Sequence, residues 1–143
     1  MNEPSSDALI DFLRTIFPVI VGTKRRDGTV QLNPAWFEYR DGSFWLNSWR
    51  GARWLAHIER DRAATLLLVD PINPSRVAQA QTRLVQTRPD AELQHADRLS
   101  ERYTGQPYQG PPVRRVTIQL QPTRITNSVD QLPNRRAGDA QEA

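Results

Sequence analysis

The spacing of apolar and polar residues changes several times along the chain, and each change marks a predicted element. Apolar residues at helical spacing lie between positions 9 and 13, and Ser6 or Asp7 just before them can cap a helix. β-Branched residues dominate segment 17–25, and segment 29–39 alternates apolar and polar residues after the turn at Asp27-Gly28. The pattern predicts a first helix followed by a β-hairpin.

The alternation within segment 29–39 changes phase part-way along. Val30 and Leu32 share one face, whereas Ala35 and Phe37 follow out of step. The slip falls at Asn33-Pro34, and a strand that changes phase at a proline carries a bulge or irregular pairing there. Such a place either leaves backbone groups free for a ligand or is an ordinary edge-strand bulge.

Segment 44–61 reads as a short apolar strand, a polar turn and an amphipathic helix. The strand, 44–47, follows a second predicted hairpin turn at 40–43. Ala52, Leu55 and Ile58 form one buried stripe in a predicted helix over 51–60. Asn47 or Ser48 can cap this helix, and Ser48 is the better placed of the two.

The rest of the chain predicts two buried strands, a third helix and a last strand. The strands are 63–69 and 76–87, joined by a proline-rich loop over 70–74. Pro89-Asp90 opens a helix that Gly105 ends, and strand 113–120 follows a loop over 106–112. Hairpin connections dominate, so the pattern predicts a mostly antiparallel six-stranded small barrel with helices as plugs.

The domain division follows from where this pattern stops. Residues 1–126 form one predicted domain, and residues 127–143 form a polar tail that we expect to be disordered beyond Pro133. The chain of 143 residues is long enough for a single real core.

Composition limits the possible chemistry. The chain has 19 basic and 16 acidic residues, two histidines and no cysteine, which excludes thiolate chemistry, disulfides and a usual zinc site. It has no long apolar run and no basic leader, which predicts a cytoplasmic protein that does not enter a membrane. A net charge of +3 suits an anionic small ligand.

The start of the second helix is a candidate anion site. Arg50 and Arg53 lie beside its free N–H groups, and Trp45, Trp49 and Trp54 add flat aromatic surface. This combination suits a ligand with a planar ring and a phosphate tail. The alternatives are a strand–helix corner with buried tryptophans and a solvated arginine face, or a surface for single-stranded nucleic acid.

The chain resembles a known family over about residues 7–125. The segments that carry the resemblance are GTKRRDG at 22–28, NPAWF at 33–37, SWRGAR at 48–53, RD at 60–61, DPINPSR at 70–76, RL at 98–99, RYTG at 102–105 and VRRVTIQLQPTR at 113–124. Together, in this order and spacing, they resemble the flavin/deazaflavin split β-barrel family, which has the fold of pyridoxamine 5′-phosphate oxidase. The closest branch is that of the F420-dependent oxidoreductases of actinobacteria.

The resemblance implies a function and an assembly. It implies an FMN-binding type of split barrel that works as a homodimer, with two cofactor sites at the subunit interface. It also implies hydride transfer from reduced coenzyme F420 to a small organic acceptor, with no nucleic-acid partner. FMN is the alternative cofactor, and a non-catalytic flavin- or haem-binding protein is the alternative function. His57 is the one histidine considered for haem.

The resemblance also assigns site residues. Those against the ring are Asn33, Pro34, Ala35 and Trp36. Those near the phosphate are Asn47, Ser48, Arg50, Gly51, Arg53, Trp54 and His57. Those reaching in from the second subunit are Asn73 and Arg76. No catalytic acid is assigned. From the residues alone, a core aromatic is the favoured interpretation of Trp36, and Arg76 fits an ion pair with Asp70 or Asp61 as well as a ligand role.

Three positions depart from the family pattern. Trp54 stands where the family has a phosphate-binding lysine, His57 where it has an asparagine, and Thr82 where it has a glycine. Either Arg50 or Arg53 supplies the missing charge, since the guanidinium fork suits phosphate, or Trp54 reshapes the site.

An excess of apolar surface on the predicted sheet also leads us to expect a dimer. Val77, Ala80, Leu84 and the strand around Trp36 and Phe37 offer more apolar sheet surface than one small barrel is expected to cover.

Overall fold

A computed structural model describes residues 6–132, and the predicted tail beyond them lies outside the described residues. The elements in chain order are α1 (Asp7–Leu13), β1 (Val19–Lys24), β2 (Val30–Ala35), β3 (Phe37–Arg40), β4 (Ser43–Trp49), α2 (Arg53–Asp61), β5 (Ala63–Val69), β6 (Val77–Pro89), α3 (Gln94–Thr104) and β7 (Arg115–Asn127).

The strands form one antiparallel sheet of seven strands in the order β2-β1-β5-β6-β7-β4-β3. Its two edge strands, β2 and β3, are consecutive in sequence and are separated by Trp36 alone. The sheet therefore curls and brings its two edges close together at Trp36 without pairing them, which makes a split half-barrel. The expected antiparallel barrel is confirmed, but the expected number of six strands is wrong.

The extra strand comes from a break at Trp36. Segment 29–39 divides there, because β2 pairs with β1 and β3 pairs with β4. The predicted irregularity at Asn33-Pro34 is wrong, since Asn33 pairs regularly opposite Val21 and Pro34 opposite Ile20. Pro34 is tolerated because β2 is an edge strand, where a missing N–H removes no ladder bond on the open side. The change of phase is taken up at Trp36, where the chain changes partner.

The core fills the inside of the curled sheet. Residues with no exposed surface come from α1, α2 and every strand except β2, and include Leu13, Val19, Val21, Phe37, Phe44, Leu46, Leu55, Ile58, Leu66, Leu68, Ala80, Ile118 and Leu120. Leu55 and Ile58 belong to the stripe predicted for the second helix, which confirms its buried face. A side chain of this size contributes roughly 1.5–3 kcal/mol when fully buried.

Helix α2 begins later than predicted. Strand β4 continues to Trp49, which pairs with Arg115, so Ser48 lies inside the sheet opposite Val116. The N-cap is Ala52, and no side chain caps the helix. The prediction that Asn47 or Ser48 caps this helix is wrong, because the long β7 extends the pairing past both residues.

Helix α3 is ended by Gly105, as predicted, in the left-handed conformation at φ 76°. Its start is shifted, because Pro89 is the last residue of β6 and the helix begins at Gln94. Asp90 nevertheless acts at this start: its carboxylate accepts hydrogen bonds from the backbone N–H of His95 at 3.1 Å and of Ala96 at 2.8 Å.

The last strand is longer than predicted and runs to Asn127. Part of the sequence assigned to the tail therefore packs on the barrel, because Val129 is fully buried. Ser6 at the other end of the described chain donates to Asp130 at 2.5 Å. Within residues 6–132, no helix is long and apolar enough to cross a membrane.

Candidate functional site

A cleft of about 320 Å³ lies where α3 faces the junction of β2 and β3. The residues that line it come from the start of β1, the β2–β3 junction, β4, α3 and the start of β7. They are Pro18, Pro34, Ala35, Trp36, Asn47, Ala96, Leu99, Tyr108 and Arg115.

Trp36 supplies the aromatic wall of the cleft. Its ring stacks on Tyr103 of α3, with centroids 5.1 Å apart and planes at 11°. The Tyr103 hydroxyl donates to the carbonyl of Phe17 at 2.8 Å. Burial raises the pKa of Tyr103, so the hydroxyl keeps the proton that it donates. The stacking fixes the plane of the indole ring.

Arg115 and Asn47 supply the polar wall. Arg115 Nε donates to Asn47 Oδ1 at 2.9 Å. Its guanidinium also lies over the ring of Tyr108, 4.8 Å from the centroid. Tyr108 is anchored to α3, since its backbone N–H donates to Asp97 at 2.9 Å. A loop and two strands thus hold one cation at the cleft.

Two buried residues hold Asn47 from behind. Its Nδ2 donates to Asp90 Oδ2 at 3.1 Å and to His95 Nδ1 at 3.1 Å. The register of the sheet brings these residues together, because Pro89 and Ser48 both pair with Val116 on β7.

His95 is neutral in this setting. Burial lowers its pKa to about 4, against the opposing influence of Asp90. Because Nδ1 accepts from Asn47, the proton of the neutral ring is on Nε2. That Nε2 is buried and has no hydrogen-bond partner within residues 6–132.

The residues predicted to bind the phosphate follow Asn47 along the chain. The two arginines among them differ in whether they are already paired with a carboxylate. Arg50 donates to Glu59 at 2.6 Å, and Thr87 donates to the other oxygen of Glu59 at 3.0 Å. The bond from Arg50 lowers the pKa of Glu59, which keeps the pair charged. Arg53 is exposed and makes no ion pair with any residue from 6 to 132.

The other residues predicted around this corner have structural contacts. A Cβ at Gly51 would fall 2.0 Å from the ring of Trp49, so a larger residue here would require the Trp49 ring to move. Trp54 is half-buried and packs against the core. His57 Nδ1 lies 2.9 Å from the Thr23 hydroxyl, on α2 rather than at the cleft.

The loop over 70–76 forms its own buried ion pair. Arg76 Nη1 lies 2.6 Å from Asp70 Oδ2, and both side chains are buried. Burial alone would raise the pKa of Asp70, but hydrogen bonds from Ile72 and Asn73 together with Arg76 lower it. Arg76 is thus paired with Asp70, one of the two partners considered from the sequence.

The structure therefore brings four predicted residues to the cleft: Pro34, Ala35, Trp36 and Asn47. Asn33 precedes them and accepts from Gln31 at 2.9 Å. Ser48, Arg50, Gly51, Arg53, Trp54 and His57 lie along the end of β4 and α2, and Asn73 and Arg76 lie in a loop that lines no part of the cleft.

A family model for pyridoxamine 5′-phosphate oxidase matches residues 5–128. The chain belongs to the pyridoxamine 5′-phosphate oxidase family. The expected family is thereby confirmed. Among curated protein sequences, none matches the chain.

Solved structures agree with this family. One similar structure is an F420 reductase with a TM-score of 0.75 and 25% identity, covering 81% of this chain and 94% of that one. Another is the conserved hypothetical protein Rv2991 from Mycobacterium tuberculosis, with a TM-score of 0.70, 22% identity and coverage of 96% and 98%. A third is HupZ from Group A Streptococcus, with a TM-score of 0.64, 16% identity and coverage of 87% and 94%.

The fold of a pyridoxamine 5′-phosphate oxidase thus carries a cleft that sequence reasoning only partly found. It missed Arg115, Tyr108 and the pair of supports Asp90 and His95. Arg115 lies in one of the segments that resemble the family, but nothing in its sequence neighbourhood shows that β4 and α3 meet there. Within residues 6–132, no group of three His, Asp or Glu side chains could hold a metal ion.

Proposed function

We propose that this chain is an oxidoreductase that transfers a hydride from reduced coenzyme F420 to a small organic acceptor. The observation that carries the proposal is the convergence of Pro34, Ala35, Trp36 and Asn47 on one cleft. These are residues that the family resemblance assigns to the cofactor, and membership of the family supports flavin-type cofactors in general. FMN is the alternative cofactor.

The chain's residues fit such a cofactor in two places. Trp36, with its plane fixed by Tyr103, gives a flat surface for a tricyclic ring. Arg53 is an exposed cation in the first turn of α2, where the helix N-terminus also favours an anion. When bound, the cofactor supplies the hydride chemistry, and the protein supplies position, exclusion of water and electrostatic field.

We also propose that two chains share the cofactor sites. Three of the five residues first expected to need a partner, Phe37, Ala80 and Leu84, are buried within a single chain, whereas Val77 and Trp36 are partly exposed. The outer face of β1, β2, β5 and β6 is the better candidate. It forms a groove of about 800 Å³ in which Val30 is 59% and Leu32 66% exposed.

Binding titrations test the cofactor directly. Purified protein is titrated with F420 and separately with FMN, and binding is followed by the visible absorbance and fluorescence of the cofactor. We expect saturable binding of F420 and, with the reduced cofactor, reoxidation by an organic acceptor. Tight binding without any reoxidation would favour the non-catalytic binder, and no binding of either cofactor would contradict the proposal.

Variants of α2 test the phosphate site. Arg53→Gln should weaken cofactor binding about tenfold or more, because a charge-assisted hydrogen bond to phosphate contributes roughly 1.5–3 kcal/mol. Arg88→Gln is the matched control, since Arg88 is also exposed and lies outside the cleft. Trp54→Lys restores the family residue and should tighten binding. Equal affinity in wild type, Arg53→Gln and the Arg50→Gln/Arg53→Gln double variant would show that the phosphate lies elsewhere.

A further inference from the structure

The cleft contains one cation whose charge is not neutralised by an ion pair. Arg115 is half-buried, and its only side-chain hydrogen bond within residues 6–132 runs from Nε to Asn47. Both terminal nitrogens remain without an acceptor among these residues. By contrast, Arg50, Arg76 and Arg98 are each paired with a carboxylate.

The orientation of Arg115 is fixed by a chain of hydrogen bonds with a defined direction. Asn47 offers its oxygen to Arg115 because its amide nitrogen donates to both Asp90 and His95. Turning the amide over would set its oxygen against the Asp90 carboxylate and its nitrogen against the Arg115 Nε–H. The Asp90 charge is occupied by the backbone N–H groups of His95 and Ala96. It therefore holds Asn47 without making an ion pair with Arg115.

The rest of the cleft is suited to a flat, mostly apolar molecule. Apart from Asn47, its other lining side chains are apolar or aromatic. Trp36 is the wall proposed for the cofactor ring, so a second ligand is placed at the polar wall of Arg115 and Asn47, beside the ring of Tyr108. Two parallel N–H donors of a guanidinium match the two oxygens of a carboxylate. With a single cation and no second positive group in the lining, the cleft matches one negative charge better than the charge of a phosphate monoester.

We propose that Arg115 is a substrate-binding residue, and that the acceptor reduced by this protein is a planar molecule whose carboxylate binds the Arg115 guanidinium. The identification of this ligand as a substrate rests on the proposed oxidoreductase function. Asn47, held by Asp90 and His95, is the positioning residue that aims the guanidinium into the cleft. This carboxylate site at Arg115 is separate from the phosphate site proposed on α2 and from the Trp36 surface proposed for the cofactor ring.

Benzoate and benzamide are matched probes, because they have nearly the same shape and differ in charge. Binding of each is measured by calorimetry on the full-length protein, with and without FMN or F420. We expect benzoate to bind at least tenfold more tightly than benzamide. Arg115→Gln should remove this preference and leave benzamide affinity within about twofold. Arg115→Lys should recover part of it, because the charge is kept while the bidentate geometry is lost.

Arg114→Gln is the control for net charge, since Arg114 is the neighbouring residue and does not line the cleft. It should leave both affinities unchanged. A preference for benzoate that survives in Arg115→Gln, or that is lost equally in Arg114→Gln, would overturn the assignment.

Measuring benzoate binding with and without cofactor tests this inference separately from the proposed function. Benzoate should bind equally well to free and cofactor-loaded protein. Displacement of benzoate by FMN or F420 would overturn the inference, because the carboxylate site would then belong to the cofactor. If neither cofactor binds, the proposed function fails. The carboxylate site at Arg115 is still tested in that case, by whether benzoate binding to the free protein depends on Arg115.

Discussion

Arginine is the residue whose role in this chain depends most on contacts that sequence does not show. From the sequence Arg76 fitted either a site residue or an ion pair, and Arg115 had no assigned role. In the structure Arg76 forms a buried ion pair with Asp70, whereas Arg115 makes no ion pair within residues 6–132. The difference arises because Asp70 lies six residues before Arg76 in the same loop, whereas Asp90 near Arg115 is already occupied by helix amides. Removing one partner of a buried ion pair lowers the free energy of unfolding by more than the intact pair contributes to it. The main role of Arg76 is therefore to stabilise the fold.

His95 gives a prediction about pH. Burial, helped by the charges of Arg40 and Arg98, lowers its pKa to about 4 in the fold against the opposing charges of Asp90 and Glu38, whereas the ordinary value is 6.5. Between these values the unfolded chain takes up a proton that the folded chain does not. Stability therefore falls as the pH falls through this window, by roughly 2 kcal/mol between about pH 7 and pH 5.

Urea unfolding at both pH values measures this effect. His95→Gln should show a markedly smaller loss on acidification, even if it is less stable at neutral pH. His57→Gln is the comparison: burial also lowers the pKa of His57, but His57 is less buried than His95, so this variant should change the loss less than His95→Gln does. The same loss in wild type and His95→Gln would show that His95 is not the titrating group.

At the scale of elements, the sequence predicted nearly every helix and strand but not all of their ends. Hydrophobic spacing located the buried stripe of α2, and the glycine at position 105 located the end of α3, because both are local properties. The ends that were wrong depend on pairing with distant strands. β4 runs on through Ser48 because β7 is there to pair with it, and the chain breaks at Trp36 because β2 and β3 have different partners.

The end of α2 gives a prediction about stability. Arg62 caps the helix in the left-handed conformation at φ 58°, which a residue with a Cβ adopts at a cost of roughly 1–2 kcal/mol. Arg62→Gly should raise the free energy of unfolding by about 0.5–1 kcal/mol. Ala56→Gly is the contrast, because Ala56 is exposed inside the same helix and the change should lower stability by about the same amount. Denaturant unfolding in which both variants lose stability would contradict the role given to the cap.

At the scale of the molecule, the curl of the sheet decides which apolar surface remains outside. Sequence reasoning chose Ala80 and Leu84, but these point into the barrel. The direction in which a strand faces depends on how the whole sheet closes, so the exposed Val30 and Leu32 could not be found from alternation alone. Asn47 was assigned to the site through the family resemblance, but its contact with Arg115 could not be predicted, since the two residues meet through the pairing of β4 with β7.

The exposed face gives a prediction about assembly. Light scattering at tens of micromolar should give a mass twice that of the 16.4 kDa chain. Leu32→Asp should shift the protein to monomer, because a charge would be buried against the second copy. Val113→Asp is the control, since Val113 is 64% exposed, much like Leu32, and lies outside the groove. A monomeric wild type would contradict the two-chain site.

Trp36 joins the two edges of the sheet by a single residue, and it is also a wall of the cleft. A molecule bound against Trp36 therefore contacts the junction between β2 and β3, which we call the β2–β3 seam. Local separation of β2 from β3 would require the ligand to dissociate. The free energy of binding is therefore added to the free energy of local opening. Ligand binding in the cleft should slow hydrogen exchange of the backbone amides at the β2–β3 seam. The exchange rates of β5 and β6, in the middle of the sheet, should not change.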